Sequence, residues 1–227
     1  MAFKPFEKWR YEEVNLAFGY TRIFEKCAPL EHWLTASKSV VLQDIDVANA
    51  EKLREKLAVE VSGHNEEELK MLFIYPLLNI IDWGRKNVYK LFAQRKISAS
   101  ITDRNGVTDI LNGRVEAMVA LGIQDPRHPY FFIHEYKPLN KSTPSDPLGQ
   151  LVAAMIVAQI TNNDDKPIYG LYVRGELWQF VVLDGKEYAE SESYSAIKSD
   201  DLKRIMQALF WVKSYIENRI DVENLSK

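Results

Sequence analysis

Cysteine is almost absent. Cys27 stands alone among 227 residues, which excludes an internal disulfide and suits a reducing compartment. No stretch approaches the roughly 18 uninterrupted apolar residues of a transmembrane candidate. The opening segment MAFKPFEKWRYEEV carries no signal-peptide apolar core, so the expected location is the cytoplasm. A basic excess is missing too: 29 Lys and Arg stand against 32 Asp and Glu, a net charge of −3. That argues only weakly against nucleic acid as a partner, because local placement of charge outweighs the total. The four histidines, His32, His64, His128 and His134, are scattered, and none stands at zinc-ligand spacing with another His or Cys. No G-x-x-x-x-G-K-[ST] phosphate loop, internal repeat or low-complexity run is present.

The rest is the pattern of a globular α/β chain. Residues 6–26 and 46–60 are rich in charged helix formers and are expected to be helical, with KSVVLQDID (38–46) a short strand or a hinge between this N-terminal piece and the remainder. HNEEELKMLFIYPLLNIIDWG (64–84) reads as a helix. Asn65 can cap it and three glutamates suit the positive end of its dipole. At about 100° per residue, Leu69, Leu72, Phe73, Leu77 and Ile80 form one stripe. Glu66 falls on that stripe, Glu67 and Glu68 fall off it, and Pro76 should kink or split the helix. Residues 96–122 read as two strands around an Arg-Asn-Gly turn, 129–137 as a third strand, 145–164 as a buried helix, 167–191 as further strands, and 199–220 as an amphipathic helix capped by Ser199. The expected fold class is α/β, a central mixed sheet flanked by helices on both faces. The expected division is a helical extension over 1–60 and a sheet-containing domain over 61–227.

One strand poses a chemical question. HPYFFIHEYKPLN (128–140) begins as an aromatic core strand and ends in an acid and a base, Glu135 and Lys137. Residues i and i+2 of a regular strand share a face, so these two are expected side by side. Sequential strands tend to pair, and Glu116 in NGRVEAMVA can then lie beside Glu135. Asp109 in GVTDILNG is the other acid available on that strand. Two close carboxylates repel and call for a cation. With no His or Cys at hand, oxygen ligands point to Mg²⁺ or Mn²⁺, and a lysine beside them can hold a water or offset charge in a phosphoryl transition state.

An acid on one strand, about twenty residues, then Glu-x-Lys closing the next strand resembles the PD-(D/E)XK, or restriction-endonuclease-like, superfamily: GRVE supplies Glu116, and EYK supplies Glu135 and Lys137. The segment NEEELKMLFIYPLLNIIDW (65–83) is similar to the helix that opens the nuclease domain of type I restriction motor subunits and related predicted endonucleases. Its acid falls on Glu66, its Ile-x-Pro-Leu-Leu run on Ile74, Pro76, Leu77 and Leu78, and its tryptophan on Trp83. The family's glutamine at the start of the following helix falls on Gln150, and IYGLYVRGELWQF resembles its closing hairpin. The similarity spans roughly 64–185. The first acid is Glu where the family usually has Asp. Ala154 and Met155 stand where a tyrosine often follows the glutamine.

The resemblance implies a restriction-endonuclease-like core and a magnesium-dependent endonuclease acting on DNA. Glu116, Glu135 and Glu66 would be its metal ligands, Lys137 would position the attacking water, and Gln150 would lend support. A homodimer is compatible with it. The run GRKNVYKLFAQRK (84–96) holds Arg85, Lys86, Lys90, Arg95 and Lys96 without an acid and could contact phosphates; a solvated basic helix face or loop is the plainer reading. Two rival readings stand beside the nuclease: a catalytically silent binding or assembly module of the same fold, from a defence or mobile-element system, and an unrelated α/β domain in which Glu135 and Lys137 are a strand-end ion pair.

Overall fold

The computed structural model describes residues 4–24, 27–137 and 146–225. Nine strands form one mixed sheet in the order β1-β8-β7-β6-β5-β4-β3-β2, with β9 on β7. The strands are β1 (Thr21–Arg22), β2 (Gly84–Arg85), β3 (Tyr89–Thr102), β4 (Thr108–Leu121), β5 (His128–Lys137), β6 (Ile168–Arg174), β7 (Leu177–Asp184), β8 (Glu187–Glu190) and β9 (Tyr194–Ser195). Pairing is parallel between β5 and β6 and between β1 and β8, and antiparallel elsewhere.

Each face of the sheet buries its own core. On one face lie α2 (Ala28–Ala36), α3 (Asp44–Glu60), the helix that runs from α4 (Glu66–Leu69) through a π turn (Lys70–Ile74) into α5 (Tyr75–Ile81), and α7 (Ser199–Leu225). On the other lie α1 (Tyr11–Phe18) and α6 (Pro147–Asn162). β5 and β6 run parallel, so their connection must cross over the sheet, and α6 makes that crossing. Its inward residues from Leu148 to Ala158 are almost all buried, which is why its sequence is apolar nearly all round. Asp146 caps α6 by accepting from the Gly149 N–H at 3.0 Å.

The described residues of 4–60 are built into both layers. Trp33 is fully buried, donates Nε1–H to the Ala208 carbonyl at 2.9 Å, and meets Phe131, Tyr169 and Phe180 edge-on. Phe6 lies where a side chain at position 113 would stand, so only Gly113 lets it seat on β4. A Cβ on Gly149 would come within 2.5 Å of the Tyr11 nitrogen, whose N–H donates to Asp146 at 2.8 Å. The single helix expected over 6–26 is interrupted. Gly19 ends α1 in the left-handed region, φ 75°, and Thr21–Arg22 then join the sheet beside β8. Ser199 does open α7, but its hydroxyl donates to Glu51 at 2.6 Å, and the Lys198 carbonyl accepts the first helical bond from Leu202.

Candidate functional site

The helix over 66–81 has the start the sequence implies. Asn65 accepts from the Glu68 N–H at 3.0 Å, and Glu68 accepts in return from the Asn65 N–H at 2.7 Å, a capping box. Its middle departs from a regular wheel. Pro76 has no N–H to offer the preceding turn, and the chain there winds as a π turn over Lys70–Ile74, closed by Tyr75 N–H to the Lys70 carbonyl. In a regular α-helix residues five apart sit about 140° apart around the axis; the i→i+5 turn brings them into line. Lys70, Ile74, Leu78 and Ile81, spaced four, four and three apart along one helix face, are buried, whereas Leu72, expected on the apolar stripe, is 46% exposed.

Lys70 is the centre of the site. Its side chain is 5% exposed, and its ammonium lies 2.8 Å from Glu66, 3.1 Å from Glu67 and 3.0 Å from Glu116 on β4. Burial alone would lower its pKa; the hydrogen bonds to Glu66 and Glu116 and the charge of Glu116 outweigh that and hold it above the ordinary lysine value. Half-buried Tyr75 shares the site. Burial pushes its phenol up, and the Glu116 carboxylate adds to the effect. Gln94 on β3 donates its amide to Glu116.

Glu116 reaches this group through an irregular hairpin. On β4, Leu111 and Val115 belong to the core beneath α6, and so do Met118 and Ala120, while Ala117 and Val119 belong to the opposite core. Strict alternation would not allow that, so the facing slips by one residue between 115 and 118, where Glu116 lies. β3 slips in step: Phe92 and Ile97 share a core, and between them Gln94 takes a left-handed φ of 53°. Such irregularities re-aim side chains, and this one turns Glu116 towards Lys70.

Beyond this point the sheet forks. β4 and β5 pair from Leu121↔His128 to Ala117↔Ile133, as sequential pairing implied. β5 continues beside β6 to Lys137↔Arg174. His134 pairs with Tyr172 and Tyr136 with Val173, so Glu135 has no opposite number and occupies an irregularity in the strand. The backbone thus carries Glu135 and Lys137 on the branch next to Glu116, and α4 packs against β5. The side chains of His134, Glu135 and Lys137 lie outside the described residues.

The other expected residues fall elsewhere. Gln150 is buried in the first turn of α6, the helix of the opposite core, where its backbone N–H donates to the Asp146 carbonyl at 3.1 Å. Asp109 stands opposite Ile101 near the hairpin tip, seven residues from Glu116, a separation of about 24 Å along a strand. The basic run 84–96 is strand and turn, not a helix face. Arg85 is held by Asp221 at 2.5 Å. Lys90 and Arg95 lie over the Phe92 ring at 4.9 and 5.9 Å, and Lys86 is exposed. Lys96 lines an open groove of about 440 Å³ with Ser98, Asn112 and Arg127. Lys70, Tyr75 and Gln94 were not expected at the site; the one sequence signal for Lys70 was its i+4 spacing from Glu66, which suits an ion pair.

Among the described residues, no three His, Cys, Asp or Glu side chains are grouped so as to hold a metal ion, and no helix is long and apolar enough to cross a membrane. The donor chemistry of Glu66 and Glu116 suits a hard divalent cation, and the ammonium of Lys70 stands between them. A scan against protein-family models and a search of curated proteins found no match to this chain.

Proposed function

We propose that the chain is a divalent-cation-dependent nuclease with a restriction-endonuclease-like core, hydrolysing DNA phosphodiester bonds. One observation supports this above the rest. An acid from a helix, Glu66, and an acid from a strand, Glu116, meet at a single cationic centre, beside the fork where β5 carries Glu-x-Lys. Glu66 and Glu116, with Glu135, would hold Mg²⁺ or Mn²⁺, which would supply Lewis-acid polarisation of the phosphate and a more acidic bound water. Lys137 would orient the attacking water and offset the negative charge growing on the phosphate oxygens. Exposed Lys86, Lys90, Arg95 and Lys96 would meet the DNA backbone. Gln150 takes no part in this reading, because it belongs to the layer beyond the sheet. Residues 4–60 complete both cores around the site, so the active unit in this reading includes them.

One observation favours the silent module of the same fold: Lys70 already pairs with both acids. Plasmid nicking in Mg²⁺, Mn²⁺ or EDTA, with wild type beside Lys137→Met, decides between them. The nuclease reading expects cation-dependent nicking that the variant loses while keeping its fold. Pure, folded wild type that neither binds Mn²⁺ nor cuts DNA or RNA leaves the module.

A further inference from the structure

We infer that Lys70 is an internal competitor of the divalent cation: its ammonium bridges Glu66 and Glu116 in the metal-free protein and must leave them for a cation to enter. The inference rests on the cation assigned to this site above.

The geometry carries it. Nζ stands 2.8 Å from Glu66 and 3.0 Å from Glu116, so it fills the point at which their charges converge. An ammonium and a divalent cation cannot share that point, because they would overlap and like charges a few ångströms apart repel. Glu67 offers the way out. It also touches the ammonium, at 3.1 Å, but its side chain is 82% exposed. A shift of Nζ from the inner pair towards Glu67 keeps the lysine paired and opens the inner oxygens. Lys70 faces inward at the start of the π turn, while Glu67, one turn before it, faces solvent. Occupancy by Lys70 then lowers apparent metal affinity by the fraction of time the inner position is open.

The test compares Mn²⁺ binding by calorimetry in wild type, Lys70→Met and Lys70→Arg, with melting temperatures in Mn²⁺ and in EDTA. Lys70→Met should bind Mn²⁺ at least tenfold more tightly than wild type and gain more melting temperature from it, while Lys70→Arg, which keeps a cation, should not. Equal or weaker binding by a folded Lys70→Met overturns the inference. Should that variant not fold, the slowly exchanging ammonium signal of Lys70 in ¹⁵N-lysine-labelled wild type decides. A saturable change on Mg²⁺ addition supports displacement, and an unchanged signal overturns it. The two readings fail separately. Tight Mn²⁺ binding by Lys70→Met with no cleavage by wild type removes the nuclease and keeps the competitor. Cleavage by wild type with unaltered Mn²⁺ affinity in the variant does the reverse.

Discussion

Glu116→Gln tests the central ion pair at its strand end. The change keeps the shape of the side chain and removes one charge facing an ammonium that is almost wholly buried. A hydrogen bond to a charged group contributes about 1.5–3 kcal/mol. Removing the only partner of a buried charge costs about 3–5 kcal/mol. Lys70 is not left alone, because Glu66 remains at 2.8 Å and Glu67 at 3.1 Å. Glu67 is so exposed that water screens most of its attraction, so Glu66 carries the compensation. The expected loss is therefore about 1–3 kcal/mol, nearer the hydrogen-bond figure than the orphaned-charge figure. Urea denaturation should show a lower midpoint at unchanged slope. A cycle with Lys70→Met should show coupling of about 0.5–3 kcal/mol, as for residues in direct contact. A Glu116→Gln protein as stable as wild type, with no coupling to position 70, would refute the pairing and with it the convergence of helix and strand acids.

Gly149→Ala places a methyl group against the backbone of Arg10 and Tyr11, and overpacking of that kind costs about 1–3 kcal/mol; limited proteolysis should show the first twenty residues released before the rest unfolds. Glu51 accepts from Ser199 and Arg54, and although burial opposes them, these bonds hold its carboxyl below the ordinary value. Its stabilising contribution is present above the unfolded-state pKa and lost as pH falls through the lower folded value, so Glu51→Gln should flatten the acid limb of stability below about pH 4.5; an acid limb identical to wild type contradicts this. Replacing Lys86, Lys90 and Lys96 with Ala should weaken DNA binding and reduce its salt slope by about 0.7–0.9 for each phosphate that is no longer neutralised, while Arg85→Ala, whose side chain is engaged with Asp221, should change the slope less. A slope unchanged in the triple variant assigns those lysines to plain surface.

The order and type of most elements were legible because their signals are local. Turn residues marked the strands of 96–122 and 167–191, Asn65 and the glutamates after it marked the start of α4, and the aromatic run of β5 marked a core strand. A stripe centred on Leu69, Phe73 and Ile80 put Leu72 inside and passed over Lys70, because a charged residue is not expected on a buried face. Regular alternation gave no place to Gln94 or to the slip at Glu116, where the backbone is irregular. Glu66 and Glu116 were legible as acids on a helix and on a strand, but the lysine that pairs with both was not. The resemblance that suggested Gln150 marks where a helix begins, not which sheet face it covers. The strand pair Thr21–Arg22 is too short to show a period, and only the partner β8 makes it a strand.

The N-terminal segment has a consequence for how the chain is made. Tyr11 bonds a residue 135 positions later, Tyr188 bonds Asn15 across 173, and Trp33 bonds Ala208 across 175. A ribosome adding about 5–20 residues per second leaves Trp33 and Phe6 without their final neighbours for roughly ten seconds or more. During that interval Phe6 and Trp33 are exposed to solvent, to each other and to other nascent chains. α7, whose Ala208 emerges 175 residues after Trp33, is the helix that receives the Trp33 N–H. Truncation near residue 200 should therefore harm the packing of the beginning of the chain as much as that of its end.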